Sequence, residues 1–575
     1  MAHTFATIVA PVRPNDIPDV RAAIEALQNP ARREVAEALD TLGRIHFASM
    51  NVFTASAGDR GHLVLEFSGD GAQDDLLVQL AESTGAWLGP VFAKAEDFSK
   101  GQDLVSYWRS KALTPGQGYF STAGLVFTGT PGMSVARILN ESKLAKEISK
   151  VLPRHLPTDS ALKTLNQVRD TLRHNAAYAW AWEAEPTPLL GVERLVFKAA
   201  FSITALGIVK YLWPLAIPAL GIALLGGLFR RSWVEALAVF FLVVFVEFAF
   251  LAYAVYKFTQ TEETDLAEDR NPPSAKMADI MQRENHYAQN HLDVHTVLKN
   301  EPFRGIALRV VLFVIGQLCA LQFKPGFLGS IGSIHFARWV LIPGTRDLLF
   351  FSNYGGSWES YLEDFITKAH AGLTGVWSNT EGFPRTRFLF QQGATDGDRF
   401  KRWAREKQVP SYFWYSAYPD VTTSNIRTNA MIRQGLAGAL TEDEARDWLS
   451  LFGSAPHPAS SLEADEIQSL LFGGFSPLQE SECILFRLGR GNRSIAAAGK
   501  WISHVLPDIS FGERVPEESA LIVGVTRSLL ELCGLPQDSL ASFPNAFLQG
   551  TMARHWCTPR IRKSLTRLRH DLSRV

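Results

Sequence analysis

GRIHFASMNVF (residues 43–53) and GSIHFARWVLI (332–342) are two copies of one pattern, and the segments C-terminal to each copy match as well. After the first come HLVLEFSG (62–69), DDLLVQLAEST (74–84) and GAWLGPVF (85–92); after the second come DLLFFSNYGG (347–356), SYLEDFITKAHAG (360–372) and LTGVWSN (373–379). Each copy predicts strand, turn, strand, amphipathic helix, strand. Ahead of the first, FATIVAPV (5–12) and IPDVRAAIEALQ (17–28) supply a strand and a helix, which completes a β-α-β-β-α-β ferredoxin-like order. After the second, TRFLFQQ (386–392), DRFKRWAREKQ (398–408), SYFWYSAYP (411–419) and SNIRTNAMIRQGL (424–436) read strand, helix, strand, helix. Two such units pack sheet to sheet as an α+β barrel, so the fold class expected is α+β with repeated ferredoxin-like units.

The chain has 575 residues, and single cores stop growing near roughly 250–300 residues, so several modules are expected. With 46% hydrophobic residues, 20% charged residues and a formal net charge of −1, the composition is globular and excludes both a disordered chain and a general nucleic-acid binder. Cys319, Cys483, Cys533 and Cys557 form no CxxC pair, so neither a disulfide framework nor a zinc knuckle is indicated. The N-terminus lacks a basic region followed by an apolar one, and no cleavable signal is expected.

Two apolar stretches, 195–229 and 233–256, interrupt the duplicated pattern. Residues 211–229 carry no charge, and the second stretch is broken only by Glu247 between 237 and 256. About 20 apolar residues suffice for a spanning helix, so a transmembrane helical hairpin is expected at 191–258, inserted between the halves of the duplicated domain. Arg194, Lys198, Lys210 and Lys257 on the flanks outnumber Arg230 and Arg231 in the turn, which places both termini inside. A re-entrant hairpin is the alternative. A third stretch, 305–323, contains Arg309 and Gln317 and reads as an interfacial or buried helix. The division expected is unit 1 at 1–190, hairpin at 191–258, polar linker at 259–304, helix and unit 2 at 305–452, a third ferredoxin-like unit at 465–553, and a basic tail at 554–575. The partner expected is the lipid of an inner or cell membrane, with the other domains cytoplasmic. A homo-oligomer is left open, and no nucleic-acid partner is expected.

EIQSLLFGGF (466–475), ECILFRLG (482–489) and SALIVGVTRSLLELCGLPQDSLASFPNAFLQGTMAR (519–554) resemble the N-terminal half of the dye-decolourising (Dyp-type) haem peroxidases, whose fold is of the dimeric α/β-barrel class. That resemblance covers about a hundred residues and implies haem as cofactor, a distal Asp within a Gly-x-x-Asp-Gly motif, a distal Arg and a proximal His. GATDG (393–397) would make Asp396 the proton-shuttling catalytic residue, although it precedes the peroxidase-like unit when the family places it after. The same Asp396 also reads as the N-cap of a helix. The resemblance places the proximal His in a C-terminal half, which is not expected among the residues after Arg554. His370, in ITKAHAGL, is the candidate haem ligand.

His286, His291 and His295 (HYAQNHLDVH) read as polar surface or, with the last two at i and i+4 on a helix face, as metal ligands. His46 and His335 occupy equivalent places in the two copies and read as hydrogen-bonded structural histidines. No nucleotide-binding or GxSxG motif is present. Two functions are compatible with these residues: a membrane-associated haem peroxidase-like enzyme that reduces peroxide while oxidising an unknown substrate, or a non-catalytic membrane-docked α/β-barrel module that binds an apolar ligand or a protein. A pocket lined by His and Arg would favour the first, and a filled apolar interior the second.

Overall fold

The computed structural model describes residues 3–28, 33–58, 60–116, 122–152, 160–183, 233–269, 271–284, 288–321 and 323–452. The first apolar arm at 195–229, the third unit at 465–553, the basic tail at 554–575 and His286 lie outside the described residues.

In each repeat the paired apolar runs form an antiparallel hairpin, β2 (Ile45–Thr54) with β3 (Gly61–Asp70) and β8 (Ile334–Leu341) with β9 (Asp347–Gly355). β1 (His3–Val12) joins β3, and β7 (Gln289–Val297) joins β9. The short strands β4 (Ala112–Leu113) and β12 (Gln408–Val409) add to β1 and β7. The orders β4-β1-β3-β2 and β12-β7-β9-β8 are those of two β-α-β-β-α-β units. The next strand of each half crosses over. β6 (Thr122–Thr128), which carries β5 (Pro115–Gly116) at its edge, pairs with β8 in the second sheet, while β13 (Phe413–Ser416) pairs with β2 in the first.

The sheets are buried on both faces, so their apolar runs show no polar alternation toward solvent. Helices α1 (Ile17–Leu27), α3 (Gln73–Phe92) and α4 (Leu104–Lys111) cover the outer face of the first sheet through Ile8, Leu65, Phe67, Leu80 and Trp108. On the second sheet, α9 (Pro302–Leu321), α10 (Trp358–Lys368), α11 (His370–Trp377) and α12 (Gly397–Lys407) do the same over Leu292, Trp339 and Phe350. The inner faces meet across Phe53, Val64, Val340, Ile342, Leu349 and Phe351. A separate core joins α5 (Val135–Val151), α6 (Ala161–Arg173), α13 (Thr423–Ala437) and α14 (Glu442–Ser450).

The structure corrects several expectations. The inserted transmembrane hairpin of the expected fold class is not seen: among the described residues no helix is long and apolar enough to cross a membrane. The second arm belongs to α7 (Trp233–Thr264), which continues past the expected end of the span through the polar turns YKFTQTEET. There Glu262, buried, accepts hydrogen bonds from Thr386 Oγ1 and from the backbone N–H groups of Phe388 and Leu389, each at 2.8 Å. Hydropathy does not distinguish a span from a helix whose polar end is built into a folded domain. Residues 259–304, expected as a linker, hold α8 (Ser274–Arg283) and the central strand β7. Residues 305–323 fall largely in α9, the connection between β7 and β8. GAWLGPVF and most of LTGVWSN are helical, as parts of α3 and α11.

Candidate functional site

Side chains on the inner faces of the two sheets are unusually polar. β3 turns His62, Glu66, Ser68 and Asp70 inward at every second or fourth position, and β7 does the same with His291, Asp293 and His295. Three carboxylate–histidine nodes and one arginine result, buried between the sheets except for the half-buried His3 and His295.

At the centre Arg338 pairs with Glu66 at 2.7 Å. Its guanidinium also donates to Ala6 O at 2.7 Å, Phe67 O at 3.0 Å and Ser68 Oγ at 2.6 Å, which stitches β8 to β1 and β3. Burial alone would lower the Arg338 pKa, and the Glu66 charge opposes that. Toward one end, Asp347 accepts from His295 Nε2 at 2.7 Å and from the backbone N–H of Ser56 at 2.9 Å, with His62 Nε2 at 3.6 Å. Burial would raise this carboxyl, but these donors hold it below the ordinary range.

A second node faces a cleft. His291 Nε2 lies 2.7 Å from Asp293 Oδ1, and its Nδ1 lies 2.8 Å from Asn353 Oδ1. Trp414 Nε1 donates to the same Asn353 oxygen at 2.9 Å, so both ring nitrogens of His291 meet acceptors. Only an imidazolium satisfies both. Burial disfavours that charge, yet Asp293 and Glu66 outweigh it and the His291 pKa is raised. The adjoining cleft, between Ile280, Glu284, Trp414 and Pro410, measures about 20 Å³, room for a single water.

The third node joins both halves. His46 Nε2 lies 3.0 Å from Asp70 Oδ1 and His3 Nε2 lies 3.8 Å from the same oxygen. On their other ring nitrogens, His46 meets Tyr418 Oη at 2.8 Å and His3 meets Thr128 Oγ1 at 3.0 Å. Asp70 Oδ2 accepts from the Val135 N–H at 2.8 Å. Burial and the nearby His46 push the His3 imidazole down to about 4. Burial would raise Asp70, but the hydrogen bond and charge of His46 hold it below its usual value. Among the described residues, these are the groups placed to hold a metal.

The expected site residues sit elsewhere. Asp396 is exposed and caps α12, accepting from the Arg399 N–H at 3.3 Å. His370 is exposed at the start of α11. Neither lines the space between the sheets. His291 and His295 lie on a strand, facing inward, and not on a helix face. His46 is hydrogen-bonded as expected of a structural histidine, whereas neither ring nitrogen of the buried His335 has a hydrogen-bond partner among the described residues. Sequence reading missed Arg338, Glu66, Asp70, Asp293 and Asp347. The alternations H-x-D-x-H at 291–295 and E-x-S-x-D at 66–70 were the signal, being strand patterns with the polar residues on one face.

Known proteins add no constraint. The chain matches no family model, no curated protein and no solved structure. The peroxidase resemblance of 465–554 therefore rests on its residues alone, and any function rests on the geometry of the described residues.

Proposed function

We propose that the chain is a non-catalytic α/β-barrel module that docks on a lipid surface, with its interior given over to structure. The observation that carries this reading is the set of large apolar side chains exposed on α7, on the 386–392 hairpin and on α9. On α7, Phe241, Phe245 and Phe248 are 63%, 70% and 70% exposed, with Leu242 and Val246 beside them. The hairpin clasped by Glu262 presents Phe388 and Phe390 next to the foot of α7. Phe390 in turn adjoins Val311 of α9, where Ile306, Val310 and Val314 form an exposed stripe at four-residue spacing. Isolated exposed apolar residues are ordinary, whereas exposed phenyl and aliphatic side chains recurring along one helix mark an interaction surface. Its aliphatic and phenyl character, with Tyr253, Tyr256 and Lys257 toward the polar end of α7, suits lipid with rings and ammonium at the headgroup level.

Two features argue against the haem peroxidase reading. Ligand sites for organic groups occupy roughly 300–1,000 Å³, whereas the cleft beside His291 measures about 20 Å³. His370 and Asp396, the ligand and proton shuttle that reading requires, are both on the outside. A larger open groove of about 540 Å³ between α3 and α4 is lined by residues such as Val78, Glu82 and Leu104, with no histidine among the described residues that line it.

Flotation of the full chain with phosphatidylcholine vesicles tests the proposal. The protein should float with the vesicles, and Phe241→Asp with Phe245→Asp, or Ile306→Asp with Val310→Asp, should leave it at the bottom of the gradient. Absence of vesicle binding, or binding indifferent to both pairs, would sink the docking reading. A stoichiometric Soret band after expression with a haem precursor would sink its non-catalytic part.

A further inference from the structure

We propose that His3, His46 and Asp70 bind a single divalent transition-metal ion of the zinc class, which acts as a structural clasp on the first sheet. All three donor atoms lie within 4.8 Å of one another. Zinc–nitrogen and zinc–oxygen bonds of about 2.0–2.2 Å in a tetrahedron place neighbouring ligand atoms about 3.3 Å apart. The separations from Asp70 Oδ1, 3.0 Å to His46 Nε2 and 3.8 Å to His3 Nε2, bracket that value.

The surrounding groups are those that metal-ligating imidazoles use. A ligand histidine directs its second ring nitrogen to an oxygen that fixes tautomer and orientation. Tyr418 Oη and Thr128 Oγ1 occupy that position at 2.8 and 3.0 Å from the two Nδ1 atoms. With each ring proton on Nδ1, both Nε2 lone pairs turn toward Asp70, so the metal enters by a tautomer change without net proton release. The Val135 N–H holds Asp70 Oδ2 at 2.8 Å and leaves Oδ1 toward the histidines. The carbonyl oxygen of Met133 lies 2.9 Å from His3 Nε2, within reach of a fourth coordination position. Phe336 covers the group, its ring centroid 5.2 Å from that of His3 and 5.0 Å from that of His46. This enclosure is that of a structural site and not of a catalytic one with an open position.

The duplication supplies an internal control. His46 and His335 sit at the same register irregularity, between Ile45 and Phe47 in β2 and between Ile334 and Phe336 in β8. The strand registers place Gln289 and Gly355 in the second copy where His3 and Asp70 stand in the first. The same bulged histidine therefore has a carboxylate and a second imidazole in one copy and neither in the other. The site belongs to one half only.

Titration of the chelator-stripped, detergent-purified full chain with cobalt(II), followed by its visible ligand-field bands, tests the assignment. The expected result is one saturable cobalt(II) per chain, displaced by zinc. The bands should be lost in Asp70→Asn and in His46→Asn and kept in His335→Leu. Tyr418→Phe should bind roughly tenfold more weakly, the loss typical of a removed outer partner. If His46→Asn does not fold by circular dichroism, His3→Gln, which copies Gln289 of the other half, takes its place. A folded wild-type chain that gives no saturable bands, or bands indifferent to all these changes, would show the three residues to be a hydrogen-bonded cluster only and overturn the proposal.

Discussion

Arg338 and Glu66 are both fully sequestered between the sheets, and a guanidinium in that position is tolerable only because its donors are met on several sides. Removing one partner of a buried pair strands the other charge, a cost of about 3–5 kcal/mol. Arg338→Leu should therefore lower the urea midpoint of the barrel sharply, and the double variant with Glu66→Leu should recover part of the loss. Histidines give the interior opposing pH responses. His291 has a folded pKa above its unfolded value, so its contribution is complete below about pH 6.5 and fades as pH rises through the folded value. His335 behaves in the opposite sense. Burial, with the charges of Arg427 and His46, lowers it to about 3. The unfolded chain takes up a proton near pH 6.5 that the folded chain refuses, so stability falls as the solution is acidified from about pH 6.5. His335→Leu should stabilise the fold at neutral pH by roughly 1–3 kcal/mol, the cost of an unsatisfied buried polar group. It should also flatten the loss between about pH 7 and about pH 5, read from urea midpoints at the two values.

Among the elements, α12 separates two readings of Asp396. If the residue is a cap, Asp396→Ala costs roughly 0.5–2 kcal/mol and Asp396→Ser restores most of it. If the carboxylate carried proton chemistry, activity would be lost in both variants whatever the stability. The Phe388–Leu389 turn is a stronger case of local constraint. Both residues hold left-handed backbone, at φ 52° and 65°, and the Glu262 carboxylate accepts both of their N–H groups. Glu262→Ala should release the β10 (Thr386–Arg387) and β11 (Gln391–Gln392) ribbon, seen as faster hydrogen exchange at 386–392 while the sheets stay protected. At this scale the sequence was readable where period and repeat agree. IHFA recurs in β2 and β8 because both copies need a strand with a bulged histidine. It misled where burial on both faces hides the pattern. HLDVH looked like solvent-facing polarity because its partners, Asn51, Asn353 and Asp347, belong to strands far away in the chain.

Viewed as a whole molecule, neither half owns a complete sheet. β6 leaves the first half to flank β8, and β13 leaves the second to flank β2. Residues 3–183 and 233–452 expressed separately should each remain poorly folded, and together they should assemble into a stable complex; cooperative unfolding of either piece alone would contradict this. That exchange was illegible in the sequence. SYFWYSAYP announces a strand, but periodicity does not say which edge the strand will meet. The polar node of His3, His46 and Asp70 was hidden for the same reason, since it gathers three strands and is closed by Tyr418 from the far half. Asp396, by contrast, was legible as a cap because a capping residue and its helix are adjacent in the chain.

The exchanged strands also govern how the protein is made. Met50 in β2 pairs with Phe413 in β13, so the first sheet cannot close when its own hairpin leaves the ribosome. At about 5–20 residues per second, the missing edge arrives roughly 20–70 s later. Until then β2 exposes an apolar, unpaired edge of the kind that recruits other strands. The nascent chain thus stays open to non-native strand pairing through most of its synthesis.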